Sequence, residues 1–125
     1  MKFSIDKHDK YVTLKLKESK FTNDNAPGLK SEFYLLNAEG FKNIIVDLSQ
    51  VKECTDAQDL SALLVGDRLC KSVGGLFIVT GVNDEIAPIV ELSNIFQSVT
   101  FVNTLTEATD FIFMEELEKE FRGAK

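Results

Sequence analysis

One histidine and two cysteines are too few for a dedicated zinc site, which takes three or four ligands, so a transition-metal centre is not expected. The same shortage removes Ser-His-Asp and Cys-His catalysis. His8 is the only imidazole, and in His8-Asp9-Lys10 it reads as part of a polar turn. No apolar run approaches the length of a transmembrane helix. The start, MKFSIDKHDK, is too polar for a signal peptide, which implies a cytoplasmic protein. A net charge of −6 would repel phosphate backbones and anionic lipid, so neither nucleic acid nor a membrane is an expected partner. Internal repeats, linkers and low-complexity segments are missing, and no residue pattern calls for a cofactor.

What is present is the composition of an ordinary soluble domain, with 44% hydrophobic and 27% charged residues. A chain of 125 residues buries roughly two-thirds of its unfolded surface, so one core and one domain over residues 1–125 are expected. Charge is unevenly spread. Lys2, Lys7, Lys10, Lys15, Lys17, Lys20 and Lys30 crowd the first third, while Glu115, Glu116, Glu118 and Glu120 crowd the end, which reads as two solvated faces.

Alternation in Lys2-Phe3-Ser4-Ile5 and in Tyr11 to Leu16 predicts two strands of an edge hairpin with one wet face. Thr22 to Asn25 and Pro27 open a helix, in which Leu29, Phe33, Leu36 and Leu35 recur until Gly40. Ile44-Ile45-Val46 and Leu76-Phe77-Ile78-Val79 are β-branched or aromatic runs suited to strands covered on both faces, with one helix between them. A further helix begins near Asn83-Asp84, with Pro88 in its first turn, and Ser98 to Val102 reads as a short strand. Thr104 and Glu107 have capping-box spacing and open a last helix through Ala108, Phe111, Ile112 and Leu117. The order is β-β-α-β-α-β-α-β-α: an α/β fold with a mixed, mainly parallel sheet of about five strands and about four helices.

Between NIIVDLS and SALLVGDRLCKSVGG lies CTDAQDL, a strand-to-helix corner. Placed at about 100° per residue, Ala62, Leu63, Gly66, Leu69, Cys70 and Val73 form a core stripe, and Cys70 reads as a buried hydrophobe. Leu60 and Leu64 fall off that stripe, beside Asp67 and Lys71, and form an exposed apolar pair fit for a partner or a neighbouring loop. Asp56 and Asp59 stand where a carboxylate can cap the helix start. The same position suits a phosphoryl group on a hydroxyl, for which Thr55 and Ser61 are the nearest residues.

DLSQV, CTDAQDLSALLVGDRLCKSVGG, LFIV and the late EATDFIF run together resemble the STAS domain, the anti-sigma factor antagonist family, over nearly the whole chain. That family's corner typically reads Asp-Ser-Ser-Gly-Leu. Counted back from Gly74-Gly75, Asp56 falls on the aspartate, Ala57 on the first serine, Gln58 on the second, Asp59 on the glycine and Leu60 on the leucine. The segment from Val51 to Leu60 is one residue longer than expected, so a second placement puts Asp56 on the first serine as a fixed negative charge.

The resemblance implies a non-enzymatic module that binds a serine-kinase anti-sigma factor until phosphorylation ends the binding. Here the partner would dock on Asp56, Ala57, Gln58, Asp59, Leu60 and Leu64, and Ala57 has no hydroxyl to carry the switch. The oligomeric state is left open. The competing reading is a receiver-like phosphoacceptor in which Asp47, at the end of Ile44-Ile45-Val46, takes a phosphoryl group and Asp6 is the one further carboxylate for magnesium.

Overall fold

The computed structural model describes residues 2–22, 24–54 and 57–123. The N-terminal hairpin forms as β1 (Phe3–Lys7) and β2 (Val12–Leu16), paired antiparallel with Phe3 opposite Leu16. Every later strand of the main sheet joins in parallel: β4 (Ile44–Asp47) on β2, β6 (Phe77–Thr80) on β4, and β7 (Thr100–Phe101) on β6. Strand order is thus β1-β2-β4-β6-β7. A separate two-residue parallel pair joins β3 (Lys20–Phe21) to β5 (Glu53–Cys54), just before the corner. Strands this short carry no period-2 signal, and alternation did not predict them.

The helices are α1 (Ala26–Ala38), α2 (Ala62–Ser72), α3 (Ala87–Leu92), α4 (Ile95–Ser98) and α5 (Leu105–Gly123), with a 3-10 helix at Ala57–Ser61. Two layers of helix enclose the sheet. One face carries Val12, Leu14, Leu16, Ile44, Val46, Phe77 and Val79 under α1, α2 and α3. The other carries Ile45 and Ile78 under Ala108 and Ile112 of α5. Alternate residues of β4 and β6 therefore enter different halves of the core, which is why both strands read as unbroken apolar runs.

Asn43 joins the two halves. Its Nδ2 donates to Lys10 O at 2.9 Å and to Glu116 Oε1 at 3.1 Å, and its Oδ1 accepts from Leu76 N at 2.8 Å. One buried amide thereby aligns the starts of β2 and β6 with the last helix. Gly40, at φ +96°, ends α1 as its position predicted, and Glu107 N donates to Thr104 Oγ1 at 3.1 Å, the main bond of the expected capping box.

Two boundaries differ from the sequence reading. The single helix expected after Asn83 is broken at Ser93, whose extended backbone (φ −83°, ψ 156°) separates α3 from α4. The expected strand from Ser98 to Val102 shrinks to Thr100–Phe101, because Ser98 still belongs to α4. Among the described residues, no helix is long and apolar enough to cross a membrane.

Candidate functional site

The corner begins with the 3-10 helix, and that local choice decides which side chains reach the surface. A 3-10 step turns the chain by about 120° and an α step by about 100°, so two such steps before Ala62 swing Leu60 about 40° toward Leu63. Leu60 is fully buried, which corrects its expected place on an exposed pair. Asp59 is buried as well, at 6% exposure, so its charge does not face a partner. Asp56 and Thr55 lie outside the described residues.

Along α2, Ala62, Leu63, Gly66 and Cys70 are buried as the stripe predicted. Val73 departs from it: as the helix C-cap it is 42% exposed. Asp67, read as off the stripe, is buried and paired with Lys71 Nζ at 2.8 Å. Gly66 is required by packing, since a Cβ there would stand 2.3 Å from the Phe77 ring.

Four of the corner's residues remain open to a partner: Ala57, Gln58, Ser61 and Leu64 form one wall of a shallow groove of about 180 Å³. The opposite wall is Leu92, Ser93, Asn94 and Ile95, from the break between α3 and α4. Leu92 is 85% exposed, the most exposed of the large apolar side chains among the described residues. Nothing in a linear reading placed it beside Leu64. Its one signal is a leucine two residues after buried Val90, and so on another side of the helix, in a segment whose helix stops at Ser93. A larger hollow of about 400 Å³ lies elsewhere, between Asp84, Glu91, Phe96 and Asn103.

Asp47 stands at the end of β4, as the competing reading requires, but its Oδ1 accepts the N–H of Ser49 at 2.9 Å and lies against Gly81. That is a turn-capping arrangement. Asp6 is on β1, with β2 between it and β4, and its Oδ2 contacts His8 Nε2 at 3.0 Å. The two carboxylates are not brought together. His8 stacks on Tyr11 at 4.4 Å between the two hairpin strands, which is the turn role expected of it. No group of three or more His, Cys, Asp or Glu side chains suited to a metal occurs among the described residues.

Cys70 is a thiol held in its neutral form. Burial pushes its pKa from 9.0 up to about 12, a contact with the Ile44 backbone opposes that, and the negative charge of Asp67 adds to it. A thiol whose pKa is raised on folding contributes stability that is fully present below 9.0 and is lost as pH climbs toward about 12. Stability measured by denaturant unfolding is therefore expected to decline above pH 9.0, and Cys70 to resist thiol reagents at neutral pH until the chain opens. Rapid labelling of Cys70 in the native protein, located by mass spectrometry, would contradict this.

A model of the STAS domain matches residues 2–108. A candidate anti-sigma factor antagonist of Thermotoga maritima superposes with a TM-score of 0.74 at 25% identity, covering 88% of this chain and 93% of its own. A serine-to-glutamate variant of RsbS from Moorella thermoacetica gives 0.71 at 18% identity, covering 95% and 99%. The anti-sigma factor antagonist SpoIIAA, from Bacillus, gives 0.73 at 14% identity in its unphosphorylated form, covering 89% and 96%. No curated protein sequence matches this chain.

Proposed function

This chain belongs to the STAS domain family, and from that premise we propose that it is a non-enzymatic regulatory module that docks a serine-kinase anti-sigma factor at the corner before α2. The observation that carries this is the groove in which Ala57, Gln58, Ser61 and Leu64 face the exposed Leu92. An apolar centre with a polar rim, at the position where the family's motif lies, suits a protein partner more than a small ligand. Docking therefore runs through Ala57, Gln58, Ser61, Leu64 and Leu92, with Asp59 and Leu60 supporting the turn from beneath.

The phosphorylation switch is lost in this reading. SpoIIAA has been described in unphosphorylated and phosphorylated forms, and RsbS with a serine exchanged for glutamate. Where this chain aligns Ala57 with the family's first serine, no oxygen can accept a phosphoryl group. Ser61 is an exposed hydroxyl but sits one helical turn further on.

The test uses the purified protein as bait in lysate of its own organism, with ATP or ADP in parallel. Capture of a serine-kinase anti-sigma factor in both nucleotides, with no phosphoryl group added to the bait, is the expected result. Release in ATP together with phosphate on Thr55 or Ser61 would show a displaced switch instead, and capture of no such kinase in either nucleotide would overturn the assignment.

A further inference from the structure

The STAS match ends at residue 108, whereas α5 continues to Gly123. Its inner face is small: Ala108 and Ile112 are the buried residues, packed on Ile45 and Ile78. The outer face is not the solvated surface its charge suggests. Phe113, Leu117 and Phe121 recur every fourth residue, and Met114 lies three before Leu117, so the four share one stripe roughly opposite Ile112. All four are exposed, with Met114 at 65% and Phe121 at 69%. Only Phe113 has a described aromatic contact, edge-on to Tyr11 at 6.0 Å. A contiguous apolar stripe on a helix that is already docked by its other side marks an interaction surface.

Charge selects the occupant. Glu107 and Glu118 border one side of the stripe, Glu120 the other, and Asp110 stands within it, all exposed. Neither cation of α5 offsets them: Lys119 Nζ bonds to Gly74 O and Arg122 lies 3.8 Å from Glu115. A second copy meeting this stripe with its own would set acidic rows against acidic rows, and an anionic membrane would be repelled in the same way. A helix with basic rows beside its apolar face would find complementary charge on both sides. The surface also offers a specific place for one basic residue. A hollow of about 130 Å³ is lined by Phe111, Met114, Glu115 and Glu118, with apolar walls for an aliphatic stem and the exposed carboxylate of Glu118 for its charged end.

We propose that α5 is a second docking surface, which receives a basic amphipathic helix of a partner protein. It lies on the opposite face of the sheet from α2, so it does not rest on the assignment of the corner groove.

The test titrates the isotope-labelled 125-residue chain with a roughly 18-residue leucine-lysine peptide of helical period, and with a leucine-glutamate peptide of the same pattern. Chemical-shift changes on the α5 stripe with the lysine peptide are expected, weakening with salt. Leu117→Glu, an exposed substitution whose spectrum reports an intact fold, should weaken binding by about tenfold or more, and Glu118→Lys with Glu120→Lys should weaken it too. Shifts elsewhere, equal binding of the glutamate peptide, or unchanged affinity in Leu117→Glu would overturn the proposal. So would a dimer in sedimentation that Leu117→Glu dissociates, which would make a second copy the occupant.

Discussion

Leu60→Asp should strongly destabilise the protein, and Leu64→Asp, four residues on, should leave it folded with a weakened hold on its partner. Leu60 has no exposed surface and belongs to the main core cluster, so an aspartate there must either bury its charge or take up a proton. Together with the lost leucine packing, the cost is about 4 kcal/mol or more, a large part of the roughly 5–15 kcal/mol that holds a domain folded. Leu64 is half-buried on the wall of the groove facing Leu92, and a carboxylate at its rim meets solvent.

Its cost to the fold is expected to stay near 1 kcal/mol, while affinity for the captured partner falls by about tenfold to a hundredfold. Leu92→Asp should reproduce the binding loss with even less effect on stability, because Leu92 is almost wholly exposed. Urea unfolding and a binding titration on the three variants separate the effects. If Leu64→Asp and Leu92→Asp, both folded, bind as tightly as the parent, the groove is not the docking site. If Leu60→Asp unfolds at the parent's urea concentration, the packing of Leu60 contributes nothing to stability.

Gly75→Ala is expected to cost far more stability than Gly74→Ala, its neighbour in the same turn. Gly74 and Gly75 end α2 by a paired arrangement: Gly75 N donates to Cys70 O at 2.8 Å and Gly74 N to Lys71 O at 3.1 Å. The two glycines are needed for different reasons. Gly74 sits at φ +75° with open space around a Cβ, so alanine there costs about 1 kcal/mol of backbone strain.

At Gly75 a Cβ would stand 1.8 Å from the carbonyl oxygen of Lys42, an atom of the backbone leading into β4. That backbone cannot swing aside cheaply, because neighbouring Asn43 holds Leu76 N, Lys10 O and Glu116 with its side chain. The starts of β4 and β6 would have to separate, at about 3 kcal/mol or more. Denaturant midpoints should therefore rank parent, Gly74→Ala, Gly75→Ala in falling order. Equal midpoints for the two variants would mean that the close approach at Lys42 contributes nothing.

The order of the main-sheet strands and of the helical segments between them followed from periodicity. Ile44 to Val46 and Phe77 to Val79 are buried on both faces, and a run of residues without a polar member implies that by itself. The hairpin's two strands were legible too, but its wet face was not: in β2, which lies between β1 and β4, Thr13 is buried and Lys15 half-buried. Gly40 ends α1 and Thr104 starts α5 by local chemistry. The corner was legible as a position and misread as a surface. Leu60 looked exposed because an α-helical wheel was extended back through residues that wind as a 3-10 helix, and composition does not distinguish those two windings; Asp59 was set toward a partner by the family's motif, which carries no burial information.

Tertiary structure alone decided the rest. Leu92 became half of a groove because the chain breaks at Ser93 and folds α4 back toward α2, a contact between residues almost thirty apart in sequence. Phe111 and Leu117 read, with Ala108 and Ile112, as the apolar run of a last helix, but only Ala108 and Ile112 found cover, on Ile45 and Ile78. Local pattern follows from the backbone periods of single elements. Which apolar face finds a partner inside the molecule depends on how much surface the neighbouring layer offers, a quantity no single element contains.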